Sequence, residues 1–213
     1  MKITILGATG NAGSRIITEA LSRGHEVTAV VRKPAATSSL PPGIKVLIGD
    51  ANNIKDVIAF STGQDVVISA IRSASGHESE VIQATRTLMD GLSKSGVRLL
   101  VVGGASTLIV PDTGGKTVIE DSNYLPVSAR HIGKASADQL AVCLAETRVD
   151  WVYLSPAAHF SPGERTGKYR QGTDELLIDA KGISKISMED AAIVLLDEAE
   201  QPKHHQVRFT VAY

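Results

Sequence analysis

The chain has one cysteine, Cys143, among 213 residues. That excludes an internal disulfide and any multi-cysteine metal site, and it fits a reducing compartment. It also lacks any charge excess: 22 lysines and arginines against 23 carboxylates leave a net charge of −1. There is therefore no electrostatic footprint for nucleic acid or for an anionic membrane. No apolar run approaches the roughly 18 residues that a membrane span needs. The first strand is expected from Lys2, which leaves no room for a signal peptide and gives a cytoplasmic expectation. Internal repeats and low-complexity tracts are likewise missing. What remains is ordinary globular composition, 43% hydrophobic and 21% charged, in a length that one domain can bury.

Strand and helix signals alternate along that length. Lys2–Leu6, Glu26–Val31, Lys45–Ile48, Asp65–Ala70, Arg98–Val102, Trp151–Leu154 and Val207–Val211 read as strands. Helical spacing covers Asn11–Arg23, stopped by Gly24, then Asn53–Ser61, Ser79–Ser95 closed by Gly96, and Ser136–Thr147. A further apolar-periodic run, Ala191–Leu196, follows a weak capping pattern at Ser187 to Asp190. Alternation of this kind implies right-handed crossovers and a doubly wound parallel sheet with helices on both faces, one Rossmann-type α/β domain over residues 1–213. Two segments break the rhythm, 107–128 and 155–170. Both follow expected strands, on the side of an open α/β sheet where ligands bind.

The stretch ILGATGNAG, Ile5 to Gly13, lies between the first strand and the first helix. Gly7 permits a tight turn, Gly10 lets backbone approach a pyrophosphate, and Gly13 lets the helix close on the sheet. The phosphates would meet free N–H groups at the helix N-terminus, with Thr9, Asn11 and Ala12 among the contacts. The second strand ends in Arg32 and Lys33 with no carboxylate. A guanidinium matches the 2′-phosphate of NADP, so NADP is expected in preference to NAD. Asp50, after the third strand, either accepts from the adenine amine or caps the next helix. Ala70, at the end of the fourth strand, is also expected at the cofactor.

These marks resemble the short-chain dehydrogenase/reductase superfamily in its atypical, NAD(P)H-binding branch. More narrowly, ILGATGNAG, the AVVR strand end, VVGGAST and SPAAHFSPGERTGKYR resemble the bacterial NADH-flavin reductase family over the whole chain. The resemblance extends more distantly to biliverdin reductase B, a flavin reductase. The superfamily's proton relay, Tyr-x-x-x-Lys, is missing. Four residues after Tyr124, Tyr153 and Tyr169 stand Ser128, Ala157 and Thr173, and Tyr213 ends the chain. Alcohol or sugar oxidation needs such a relay. Hydride transfer to a stacked flavin does not, because positioning does most of the work.

The resemblance implies roles for the residues after the strands. Ser106 takes the place of the superfamily's active-site serine and would donate to the nicotinamide carboxamide or the acceptor; otherwise it is a turn serine. Pro156 and Ala157 would wrap the nicotinamide. His159 is the second catalytic candidate, as a donor to reduced flavin, or else a surface histidine. Arg165 and Lys168 would steer a phosphate-bearing acceptor such as FMN, with Tyr169 as a stacking surface; a charged turn is the plainer reading. His131 is a weaker candidate, and adjacent His204 and His205 make no metal site by themselves. The sum is an NADPH-dependent reductase of free flavin, or of another planar acceptor such as a quinone, in a monomer or homodimer. A non-catalytic redox sensor of the NmrA type is the alternative, with a sugar-nucleotide epimerase or dehydratase third.

Overall fold

The computed structural model describes residues 1–34, 40–72 and 76–213. In chain order its elements are β1 (Lys2–Leu6), α1 (Asn11–Ser22), β2 (Glu26–Val31), β3 (Lys45–Ile48), α2 (Ile54–Ser61), β4 (Val66–Ser69), α3 (Ser79–Ser95) and β5 (Arg98–Val102). These are followed by α4 (Arg130–Leu144), β6 (Trp151–Pro156), β7 (His159–Ser161), β8 (Arg170–Gly172), β9 (Lys185–Ser187), α5 (Met188–Glu200) and β10 (Val207–Ala212). The main sheet runs β3-β2-β1-β4-β5-β6-β10-β8. Every pairing in it is parallel except β10 with β8, which is antiparallel. The expected doubly wound parallel sheet is present, with one short antiparallel strand added at that edge. Residues 170–172 are too short and polar to signal a strand, and they pair because β10 offers them a free edge.

The strands are apolar on both faces because helices cover both. Ile3, Ile5, Leu100, Val152 and Leu154 pack with α1 and α5, while Leu6, Leu99, Val101, Trp151 and Tyr153 pack with α2, α3 and α4. The alternation within β5 and β6 is the strand period of two, with each face given a hydrophobic partner. Cys143 lies wholly inside the second layer, where burial pushes its thiol up to about 12. No helix among the described residues is long and apolar enough to cross a membrane.

One helix start differs by more than a turn from the expected one. Helix α4 begins at Arg130, six residues before Ser136. Gly133 hides that first turn from a propensity reading. Leu125 packs over this glycine, since a Cβ there would lie 2.5 Å from the Leu125 side-chain end, which would have to shift. The 107–128 segment is held by a small core of its own, Leu108, Val110 and Val118 with Leu176.

The 163–168 segment is tied to the N-terminal turn of α5. Thr166 and Gly167 donate backbone N–H groups to Asp190, each at 2.8 Å, and the Tyr213 hydroxyl donates to the same carboxylate at 2.9 Å. Ser187 caps α5 by accepting from the Asp190 N–H at 3.0 Å, and it donates to the Glu164 carbonyl at 2.8 Å. Burial opposes ionisation of Asp190, but the Thr166, Gly167 and Tyr213 hydrogen bonds outweigh it and hold the carboxyl below its usual range. A depressed carboxylate stabilises the fold above its unfolded value, and that contribution is lost as pH falls through the lower folded value. Asp190→Asn should therefore cost about 1–3 kcal/mol at neutral pH by urea unfolding. The gap from wild type should close in acid below pH 3.8, the unperturbed value. A gap that stays constant there would show that the carboxylate's charge contributes nothing.

Candidate active site

The site starts at the turn after β1. Gly7 has a φ of +72°, and a Cβ on it would lie 2.3 Å from the Ala70 carbonyl oxygen. A Cβ on Gly13 would lie 2.1 Å from the Gly7 carbonyl oxygen. The two glycines let three backbone segments touch. Gly10 differs: the sole heavy atom near a Cβ there is the Gly7 carbonyl oxygen at 3.2 Å, so its face opens outward. Gly10 is also the N-cap of α1, with no side-chain cap and no acidic residue in the first turn. The first N–H groups of a helix have no intrahelical acceptor, and the dipole adds partial positive charge. This cradle fits a pyrophosphate in shape and in charge.

Two cavities meet at the cradle. The outer, about 250 Å³, is lined by Gly7, Thr9, Gly10, Arg32, Asp50 and Asn52 among others. The inner, about 480 Å³ and mostly apolar, runs past Asn11, Ala12, Gly104, Ser106, Ser136 and Pro156. Gly10, Ala70, Ile71 and Arg72 line both. The pair spans the carboxyl ends of β1 and β4, where the strand order reverses, the position at which open α/β sheets bind ligands. A larger open groove of about 540 Å³, lined by Arg86, Asp90, Asp138 and Arg148, lies between α3 and α4 away from the strand ends.

Arg32 lines the outer cavity with its side chain 73% exposed, 3.9 Å from Glu80. Lys33 is exposed and does not line it. Asp50 accepts from the Asn52 backbone at 2.9 Å and so closes its own turn, while its residue also faces the cavity. In the inner cavity, Ser106 is buried, and its Oγ lies 2.7 Å from Ser136 Oγ. Ser136 donates in turn to the Gly133 carbonyl at 2.9 Å. Tyr153 stands behind this wall, donating to the Ser136 carbonyl at 2.9 Å and accepting from the Gly104 N–H at 3.2 Å. Burial pushes its phenol above the usual range. It is a structural tyrosine. Ser136 was missed by the sequence reading, because its importance depends on a turn of α4 that Gly133 disguises.

Four expected residues lie elsewhere. His159 is exposed on β7, while its neighbours Ala158 and Phe160 line the inner cavity. The strand period places the imidazole on the opposite side. Arg165 makes a bidentate pair with Glu19 of α1 at 2.8 and 3.0 Å. Tyr169 donates to Asp197 at 2.8 Å, and burial pushes its phenol up to about 12. Lys168 is exposed, and none of these three lines either cavity. The donors of this segment hold it against α1 and α5. Pro156 and Ala157 do line the inner cavity.

Residues 7–202 match the model of an NAD(P)H-binding family. The chain belongs to that family. Over 215 aligned residues, 99% of this chain and 98% of the relative, it is 40% identical to the uncharacterized protein YwnB of Bacillus subtilis strain 168. Among solved structures, a Bacteroides thetaiotaomicron protein provisionally assigned as an epimerase superposes with a TM-score of 0.88 at 42% identity, covering 100% of this chain and 96% of that one. A Streptococcus pneumoniae TIGR4 protein provisionally assigned as an NADH-flavin reductase has a TM-score of 0.85 at 30% identity, covering 100% and 99%. The two assignments differ in reaction, so the NAD(P)H-binding family accounts for the cradle and leaves the chemistry to the inner cavity.

The three glycines should separate by experiment. Gly10→Val should weaken NADPH binding by about 100-fold or more, the loss of two charge-assisted hydrogen bonds, with the melting temperature little changed. Gly13→Ala should instead destabilise the fold, because its Cβ meets immovable backbone. Calorimetric titration and thermal melts of both variants check this; micromolar binding by Gly10→Val would refute the cradle.

Proposed function

We propose that this protein is an NADPH-dependent reductase that passes a hydride to a free planar acceptor, a flavin such as FMN or riboflavin or a comparable ring such as a quinone. The observation that carries the reading is the apolar inner cavity opening directly from the glycine cradle, with no tyrosine-lysine relay among the described residues of its wall. Tyr153 is sealed behind the Gly103-Gly104 turn, and Tyr124 donates its proton to the Gly182 carbonyl at 3.0 Å. Lys134 pairs with Asp138 at the surface, at 2.7 Å. A carbonyl or alcohol substrate would find no such acid or base here, which disfavours an epimerase or dehydratase.

When bound, NADPH supplies the hydride. The chain's work is to hold and orient. Gly7, Gly10 and Gly13 with the α1 N-terminus would take the pyrophosphate, and Arg32 the 2′-phosphate. Asp50 would stand beside the adenine. The glycine turn at 103–104, Ala157 and Phe160 form the walls against which a flat acceptor would lie. The proton that balances the transfer comes from solvent. The flavin is read as a substrate that enters and leaves between turnovers rather than as a resident group.

NADPH oxidation should become steady on adding FMN or riboflavin. Tight NADPH binding without turnover against flavins, quinones and carbonyls alike would favour a redox sensor instead. Arg32→Ala should weaken NADPH about 10–150-fold and leave NADH unchanged, as expected for a lost charge-assisted contact. Equal weakening of both would remove Arg32 from the 2′-phosphate. His159→Ala should alter flavin reduction by no more than about twofold, the scale of a surface substitution. A thousandfold loss would restore that histidine as a proton donor.

A further inference from the structure

The direction of the hydrogen bonds in the inner cavity bears on what it takes. A hydroxyl has one proton and two lone pairs. Ser136 is 2.9 Å from the Gly133 carbonyl oxygen, which can only accept, so the Ser136 proton is committed there. With that proton directed to the carbonyl, the 2.7 Å contact between Ser106 and Ser136, which either hydroxyl could donate, is completed by the Ser106 proton pointing toward Ser136. Ser106 is left facing the cavity with lone pairs alone. Tyr124, on the same cavity, is in the same condition: its proton goes to the Gly182 carbonyl at 3.0 Å.

We propose that Ser136 is a positioning residue that fixes Ser106 as a hydrogen-bond acceptor, so that the ring system opposite Ser106 must present an amide or lactam N–H. This rests on the reading that the inner cavity takes the ring end of the cofactor or of its acceptor. Two sources share that chemistry, the carboxamide of a nicotinamide and the lactam N–H of an isoalloxazine. If Ser106 faces the acceptor rather than the carboxamide, a quinone, which carries carbonyl acceptors only, would set lone pair against lone pair at the buried Ser106 hydroxyl and be the poorer substrate of the two proposed. The proposal also removes Ser106 as a source of the proton. The donor role expected for it from sequence is reversed.

The test is equilibrium binding of two probe pairs to the wild-type protein, Ser106→Ala and Ser136→Ala. One pair is NADPH and its 3-acetylpyridine analogue, in which a methyl ketone replaces the amide. The other is lumiflavin and 3-methyllumiflavin, measured with NADP present. In at least one pair the wild type should favour the N–H form by about tenfold, the worth of one buried neutral hydrogen bond. Ser106→Ala should bring that ratio to within about twofold. Ser136→Ala should do so as well, because Ser106 then turns its freed proton to the cavity; a purely structural serine would weaken both members of a pair alike. A response in the cofactor pair assigns Ser106 to the carboxamide, and a response in the flavin pair assigns it to the acceptor. The proposal fails if both ratios are near one in the wild type, if the ratio survives Ser106→Ala, or if Ser136→Ala leaves it unchanged. It fails too if none of the four probes binds. Should Ser136→Ala not fold, the Ser106→Ala ratio decides. Absence of flavin-dependent turnover would overturn the reductase reading, while the cofactor pair would still report on the hydroxyls.

Discussion

The molecule is organised around a junction where there is no room for a side chain. The β1 turn, the start of α1 and the end of β4 meet at Gly7, Gly13 and Ala70, with backbone atoms where two Cβ atoms would otherwise stand. Because α1 closes fully on the turn, its N-terminal N–H groups are aimed at one point beside the sheet edge. Both cavities share that point, so the contents of each are registered against the other. Any loosening of the junction would blur a placement on which the proposed hydride transfer depends. Interiors as dense as this one transmit small displacements rather than absorb them.

Much of this was legible in the chain because the signals are local. Glycine spacing, β-branched runs and helix stops depend on neighbours in sequence, and they located β1–β6, β10 and the cradle. Arg32 was legible for the same reason, since a strand end places its last residues at the sheet edge. The failures are equally instructive. His159 was assigned to the cleft from a motif, but motif position carries no information on which side of a short strand a ring emerges. Arg165, Lys168 and Tyr169 are polar and clustered, a pattern shared by ligand sites and by loop anchors. Only the positions of Glu19 and Asp197, far away in sequence, tell the two apart. Ser136 required knowing that the glycine-containing stretch from Arg130 is helical, which local propensity does not signal.

The anchored segment also explains how a cavity wall can be built from a loop. Phe160 and Met188 line the inner cavity at either end of a stretch that is bonded to α5 through Asp190 and to α1 through Glu19. The wall therefore inherits the rigidity of two helices, although few of its residues are in regular structure. An apolar cavity with stiff sides favours flat rings over flexible chains, since little of the ligand's shape can be accommodated by movement of the wall.

The burial of Cys143 acquires a meaning once the product is considered. Under the proposed reaction, a flavin leaving in its reduced form would meet dioxygen and yield hydrogen peroxide close to the protein. Peroxide attacks thiolates, and its progress along the sulfenic and sulfinic series follows thiolate content and access. Cys143 offers neither, with its thiol pushed up to about 12 in the layer between the sheet and α4. The one thiol of the chain would thereby be spared by the oxidant that the proposed turnover generates, so that its sulfur chemistry sets no limit on how long the protein works.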